Sequence, residues 1–315
     1  MYFPYLRGKQ FELKALREFS MEHPNEQTII PIIEPINSNY APLSTAIQEM
    51  NQNGICFALI MNPKDGDFSH TNIIFDFNEI TYLKDNKQSE WIPAYLYHNN
   101  PQELRDLVDN SVFEKLMIVF REPAEIGEND ILSTIVSDDK VSYIIFNDNT
   151  SRRTKSFLRS LRKNLIGLND CFNEKPKNSD YLNCEDELFS EMPFFYQEDH
   201  LYGFADYTAL SSKYIEGGMT PYAIAIHLTY QKAEDLLYIH HFVSDSNRTR
   251  ADIRGKFNEA AIKIKPFYEN NNITITLAVQ DLINRANSGE DYPGLGYLKK
   301  LSILNHLELI HRILS

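Results

Sequence analysis

Eight short apolar runs, each rich in β-branched or aromatic residues, punctuate this chain. They are TIIPIIEP from Thr28, ICFALIMNP from Ile55, WIPAYLYH from Trp91, KLMIVFREP from Lys115, VSYIIFND from Val141, NLIGLND from Asn164, LYGFADY from Leu201 and YAIAIHLTY from Tyr222. Near-continuous hydrophobicity over so short a stretch is the pattern of strands buried on both faces, as in a parallel sheet covered on each side. Successive runs start roughly 20 to 38 residues apart, which leaves room for one helix and two loops per repeat.

The intervals carry helical periodicity. NNPQELRDLVDN has Pro101 at a first helical position and Leu104 and Leu107 on one face. SRRTKSFLRSLRK groups Phe157, Leu158 and Leu161, and residues 123–137 group Ile131, Leu132 and Ile135. Strands alternating with helices predict an α/β fold, a (β/α)8 TIM-like barrel. An open parallel sheet is the alternative, because periodicity cannot see closure. A length of 315 residues suits a single barrel-like domain over 1–315.

Two regions break the repeat. Residues 170–200 are long, polar and acidic, an insertion or lid after the sixth run rather than a barrel helix. DLLYIHHFVS reads as an extra strand hairpinned to Tyr222–Tyr230 through QKAED, and residues 252–315 form a helical extension. Gly217 and Gly218 in EGGMTP read as a turn. The basic stretch Arg152–Lys163 reads as the solvated face of an outer helix, and Cys56, opening its run, as core packing.

The net charge of −13 is spread along the chain, which disfavours general nucleic-acid or membrane-surface binding. Three widely spaced cysteines, Cys56, Cys171 and Cys184, form no C-x-x-C pair, as expected of a reduced cytoplasmic protein without a structural zinc. No apolar run is long enough to span a membrane and the start has no signal-peptide core.

Each apolar run closes on a polar group: Glu34, Asn62, His98, Arg121, Asp148, Asp170, Asp206 and His227. In a barrel these positions converge on the C-terminal mouth, where the strand-to-helix loops build the active site. Asp and Asn at strand ends also cap helices and satisfy turn amides. Capping explains Glu34 and Arg121 less well, since each lies against an apolar run and leads into an E-P dipeptide. The resulting candidates are Glu34, Asp206 and His227 as catalytic groups, and Asn62, Arg121 and Asp148 as ligand-binding groups. His240 and His241 are adjacent in a strand and point to opposite faces.

The opening YFPYLRGKQFELKAL followed by IIPIIEPI resembles the start of the beta-family proteins, a phage and bacterial group. The matching positions are Tyr5, Leu6, Arg7, Lys9, Glu12, Ala15, Leu16, Pro31 and Glu34. GFADYTAL resembles the family's G-D-Y element through Asp206 and Tyr207, with Ala205 in place of the glycine, and His227 stands where an arginine often occurs. RGK and HHF are similar to a bacterial branch. The resemblance implies that Lys9, Glu12, Glu34 and Asp206 recur together, and points to phage defence or mobile-element biology with a nuclease-like partner protein. Arg7, Lys9, Glu12 and Tyr207 complete the ligand-binding set, Arg7 and Lys9 because they would offset the rim's negative charge if the N-terminus crosses the mouth.

The expected function is a carboxylate-rich mouth that binds or acts on a phosphate-bearing ligand. Arg121 and Lys9 would hold the anion, Glu34 or Asp206 would be base or ligand to a divalent cation, and His227 would be proton donor. A phosphate-ester hydrolase is the least forced reaction class. The alternative is a non-catalytic scaffold whose 170–200 insertion, alternating acids with aromatics, docks a partner.

Overall fold

The computed structural model describes residues 1–70, 80, 83, 91–127, 129–216, 220–289 and 291–315, so the turn read at Gly217 and Gly218 lies outside the described residues. Among the described residues eleven strands, β1–β11, are defined: Tyr5–Arg7, Ile32–Glu34, Phe57–Ile60, Trp91–Leu96, Leu116–Phe120, Val141–Asn147, Asn164–Asn169, Asp186–Ser190, Gly203–Asp206, Ala225–Ala233 and Leu236–Val243. Contacts divide the chain into two compact units.

The first unit comprises residues 1–13, 20–169 and 195–206. Its sheet has eight strands in the order β1-β2-β3-β4-β5-β6-β7-β9, and every neighbouring pair is parallel. The two ends meet at Tyr2, which bridges Ile29 on one side and Phe204 on the other. Phe3 N donates to Phe204 O at 2.8 Å and Phe204 N to Met1 O at 3.1 Å, continuing the ladder across the seam. This closure makes the sheet a (β/α)8 TIM-like barrel rather than an open sheet.

Helices follow the strands at Ala41–Gln52 and, where the periodicity places them, at Pro101–Asp109, Ile131–Ser137 and Arg152–Ser160. The side chains of Asn100, Asp130 and Ser151 cap the last three, accepting from Glu103, Ser133 and Thr154 amides. Helix Gln10–Glu22 follows β1 with Leu13, Leu16 and Phe19 buried.

One strand differs from the sequence reading. The first barrel strand is Tyr5–Arg7, whereas the run at Tyr222 is not a barrel strand. Three residues between Pro4 and Gly8 are too few to register as a strand pattern, yet β2 pairs with all three and supplies their ladder. The 170–200 stretch therefore follows the seventh barrel strand, not the sixth.

The second unit comprises residues 14–19, 170–194 and 207–315. It holds an antiparallel sheet in the order β10-β11-β8. The β10–β11 pair is the expected hairpin. Helices Ile253–Ala261, Ile264–Asn270, Leu277–Ser288 and Leu295–Leu314 make up the helical extension. Among the described residues no helix is long and apolar enough to cross a membrane.

The seam of the barrel is tight at Gly203, where a Cβ would lie 2.7 Å from the Met1 carbonyl oxygen and 2.8 Å from the Phe3 ring. Gly203→Ala should therefore cost about 1–3 kcal/mol of stability through overpacking, measured by urea unfolding. An unchanged midpoint would contradict the closed seam.

Candidate functional site

Parity explains how the carboxylate of an apolar run comes to be useful. Side chains two apart on a strand share a face, and Tyr5 pairs with Ile32 while Arg7 pairs with Glu34. Tyr5 and Glu34 therefore face the same way, and the Tyr5 hydroxyl donates to Glu34 Oε2 at 2.6 Å. The same diagonal recurs at the seam. Tyr2 bridges Phe204, and its hydroxyl donates to Asp206 Oδ1, two residues further on, at 2.5 Å.

Glu34 is fully buried and each carboxylate oxygen has a donor. Arg121 Nη1 reaches Oε2 at 2.9 Å and the Lys64 amide reaches Oε1 at 2.9 Å. Arg121 Nη1 also reaches Asp65 Oδ2 at 2.9 Å, and Arg7 Nε reaches the same oxygen at 2.8 Å. Two guanidiniums and two carboxylates thus form one charge-balanced, largely buried cluster. Burial pushes the Asp65 carboxyl up, but Arg121 and Arg7 outweigh it and hold the group below the usual carboxylate range. Burial likewise opposes the charge on each arginine; Asp65, Tyr5 and Glu34 more than offset it, and both guanidiniums are raised. Removing two charges of each sign from water is tolerated because the ions pair and hydrogen-bond with one another.

Asp65 lies on the loop after β3, outside the strand-final positions that sequence reasoning inspected. The signal that points to it is the D-G pair after Pro63, where the strand stops and the chain turns back. Gly66 has φ +62°, and a Cβ there would lie 2.1 Å from the Ile36 carbonyl oxygen. Only glycine lets this loop press on the segment after β2. Asp67 completes the junction, donating its amide to Ile36 O at 2.9 Å and accepting from the Ser38 amide at 2.7 Å.

The other candidates divide. Asn62 uses both ends of its amide on the Leu96 backbone, at 2.8 Å each. Asn147 similarly donates to Arg121 O at 2.6 Å and fixes the arginine's main chain. Both zip neighbouring strand ends together. Asp148 is half exposed and pairs with Lys155 at 2.7 Å, so it is not part of the cluster. His98 is exposed, and Asp170 accepts from Ser212 in the second unit.

Lys9 lines a cavity of about 190 Å³ with Gly8, Gln10, Pro35 and Asn37, immediately beyond the ends of β1 and β2. Glu12 is buried in the first turn of the following helix, and Tyr207 is buried just after β9. His227 is on β10 in the second unit, so its expected place at the end of a barrel strand is corrected.

The expected partner surface also changes. Tyr181, Phe189 and Tyr196 in the 170–200 stretch are buried, and Leu182 and Leu188 are the exposed apolar residues there. Acid–aromatic alternation therefore reports packing of this segment. Among the described residues no three His, Cys, Asp or Glu side chains gather as a metal cage. The rim carboxylates are instead held by guanidinium, phenol and amide donors.

Glu34→Gln would set an amide N–H against the donors that surround it, and should lower stability by about 3 kcal/mol in denaturant unfolding. A loss below about 0.5 kcal/mol would be the size of an ordinary surface change and would contradict the network. For Asp65 the folded value lies below its usual 3.8. Its contribution to stability is therefore present above about pH 4 and is lost as pH falls through the depressed folded value. Asp65→Asn should weaken the protein near neutral pH and flatten that acid limb; an unaltered pH–stability profile would be inconsistent with the pairing.

No protein-family model matches the chain. No curated protein matches it either.

Proposed function

We propose that the barrel mouth binds an anionic, phosphate-bearing ligand, with Arg121 and Arg7 as its receptors. One observation carries this reading. Both ion pairs of Arg121 run through Nη1, and among the described residues Nη2 donates to no protein acceptor. A guanidinium fixed through one nitrogen, with the other available, is preorganised for the forked recognition that phosphate oxygens favour. Arg7 and Arg121 already converge on a single oxygen of Asp65, an arrangement that suits a phosphate oxygen as well as a carboxylate. Lys9 and the cavity beside it supply further room for the rest of a small ligand.

Binding is favoured over hydrolysis. Glu34, the expected base, accepts three hydrogen bonds and has both oxygens engaged, so its role is to position Arg121. Asp206, hydrogen-bonded to Tyr2, is the remaining rim carboxylate for acid–base chemistry, and a phosphate-ester hydrolase would have to work through it. A divalent cation would enter with the ligand's own oxygens. Membership of the beta family, a cytoplasmic setting, a role in phage defence and a nuclease-like partner remain proposals that rest on the N-terminal and G-F-A-D-Y motifs and on composition.

The test is calorimetric titration with inorganic phosphate, pyrophosphate and a nucleoside monophosphate. Arg121→Lys keeps the charge but loses the fork, and should weaken binding by about tenfold or more, the equivalent of one lost charged hydrogen bond. Circular dichroism would check the fold of the variant. Absence of binding by wild type, or equal affinity in Arg121→Lys, would overturn the proposal.

A further inference from the structure

The second unit aligns three titratable side chains across its sheet. His227 and His241 are direct cross-strand partners on β10 and β11. Glu187 on β8 pairs with Ile239, two residues from His241. Alternation therefore puts Glu187, His241 and His227 on one face, while His240 and Asp186 take the other. The contacts follow this geometry. His241 Nε2 lies 3.1 Å from Glu187 Oε2, and His241 Nδ1 lies 2.7 Å from His227 Nδ1. Phe172 and Tyr181 wall the pair, with ring centroids 5.1 and 4.8 Å from His227.

The protons along this chain can be assigned. Burial raises Glu187, but Asn173, His241 and Lys175 outweigh it and hold the carboxyl below its usual range. It is therefore ionised at neutral pH and only accepts, so His241 carries its proton on Nε2. A neutral His241 then presents a bare Nδ1, and the 2.7 Å contact requires His227 to donate from Nδ1. His227 is left with a lone pair on Nε2. Among the described residues that nitrogen makes no hydrogen bond, and His227 retains some exposed surface.

We propose that Glu187, His241 and His227 form a second site, a carboxylate–imidazole–imidazole relay whose terminal acceptor, His227 Nε2, receives a hydrogen bond from the O–H of a ligand. The carboxylate polarises His241 and His241 polarises His227, so Nε2 accepts more strongly than an isolated neutral imidazole. His241 and Glu187 are positioning residues. Burial, then His241 and Lys299, hold His227 well below the ordinary histidine range, so it is unprotonated at neutral pH. His241, lowered to about 4 by burial against the opposing pull of Glu187, is also neutral, with His240 and Lys175 as its other charged or titratable neighbours. The inference does not depend on the barrel-mouth reading.

The test combines nitrogen NMR of the histidine rings with carbethoxylation by diethyl pyrocarbonate, located by mass spectrometry, on the full chain. The expected result is the Nδ1–H tautomer at His227 and modification at its Nε2. Glu187→Gln should allow the other tautomer and weaken Nε2 as an acceptor and nucleophile, slowing modification by up to roughly tenfold. An Nε2–H tautomer in wild type, no modification of folded His227, or an unchanged rate in Glu187→Gln would each overturn the proposal. The tautomer is read on the unaltered protein, so a misfolded variant leaves the central point decided.

Discussion

The rim depends on one buried carboxylate. Glu34 ends an apolar strand, loses all contact with water, and is acceptable there because Tyr5, Lys64 and Arg121 bring three donors to it. In gathering those donors it joins β1, the loop after β3 and the end of β5, which are far apart in sequence. Arg121 then connects Glu34 to Asp65, and Asp65 connects Arg121 to Arg7. Remove the carboxylate and Arg121 remains as a buried cation with half of its compensation, a more costly state than replacing the whole network by apolar side chains.

On the proposed reading, the same network makes the site one that holds an anion rather than one that removes a proton. A carboxylate with its lone pairs engaged is a poor base but a good anchor. An arginine fixed through one nitrogen is a good receptor because little orientation is lost when the other nitrogen finds an oxygen. The Tyr2–Asp206 and Tyr5–Glu34 pairs show the geometry used twice, each phenol reaching a carboxylate two residues along the adjoining strand. In the second unit the same alternation lines up Glu187, His241 and His227.

Much of the fold was legible in the chain because doubly buried parallel strands write themselves as continuous apolar runs, and seven of the eight barrel strands do so. Tyr5–Arg7 escaped because a three-residue strand bounded by Pro4 and Gly8 has no period to detect. The Tyr222 run reads as a barrel strand in sequence because β-propensity does not say which sheet a strand joins. At the rim, Glu34 and Arg121 stood out because an ionised group inside an apolar run has few structural excuses. Asp65 and Tyr5 did not, since a loop aspartate and a core tyrosine are ordinary until their partners are known. Asn62 and Asp148 read as candidates for the opposite reason: strand-end polar groups that serve the backbone and a surface lysine look the same in sequence as groups that serve a ligand.

The most direct measurement is a double-mutant cycle between Glu34→Gln and Arg121→Gln, read by reversible denaturant unfolding. If the buried pair organises the rim, the two substitutions are strongly non-additive, with a coupling energy of about 2 kcal/mol or more. Coupling within about 0.5 kcal/mol of zero would mean that Glu34 and Arg121 act independently, and the rim would lose the interaction on which this account rests.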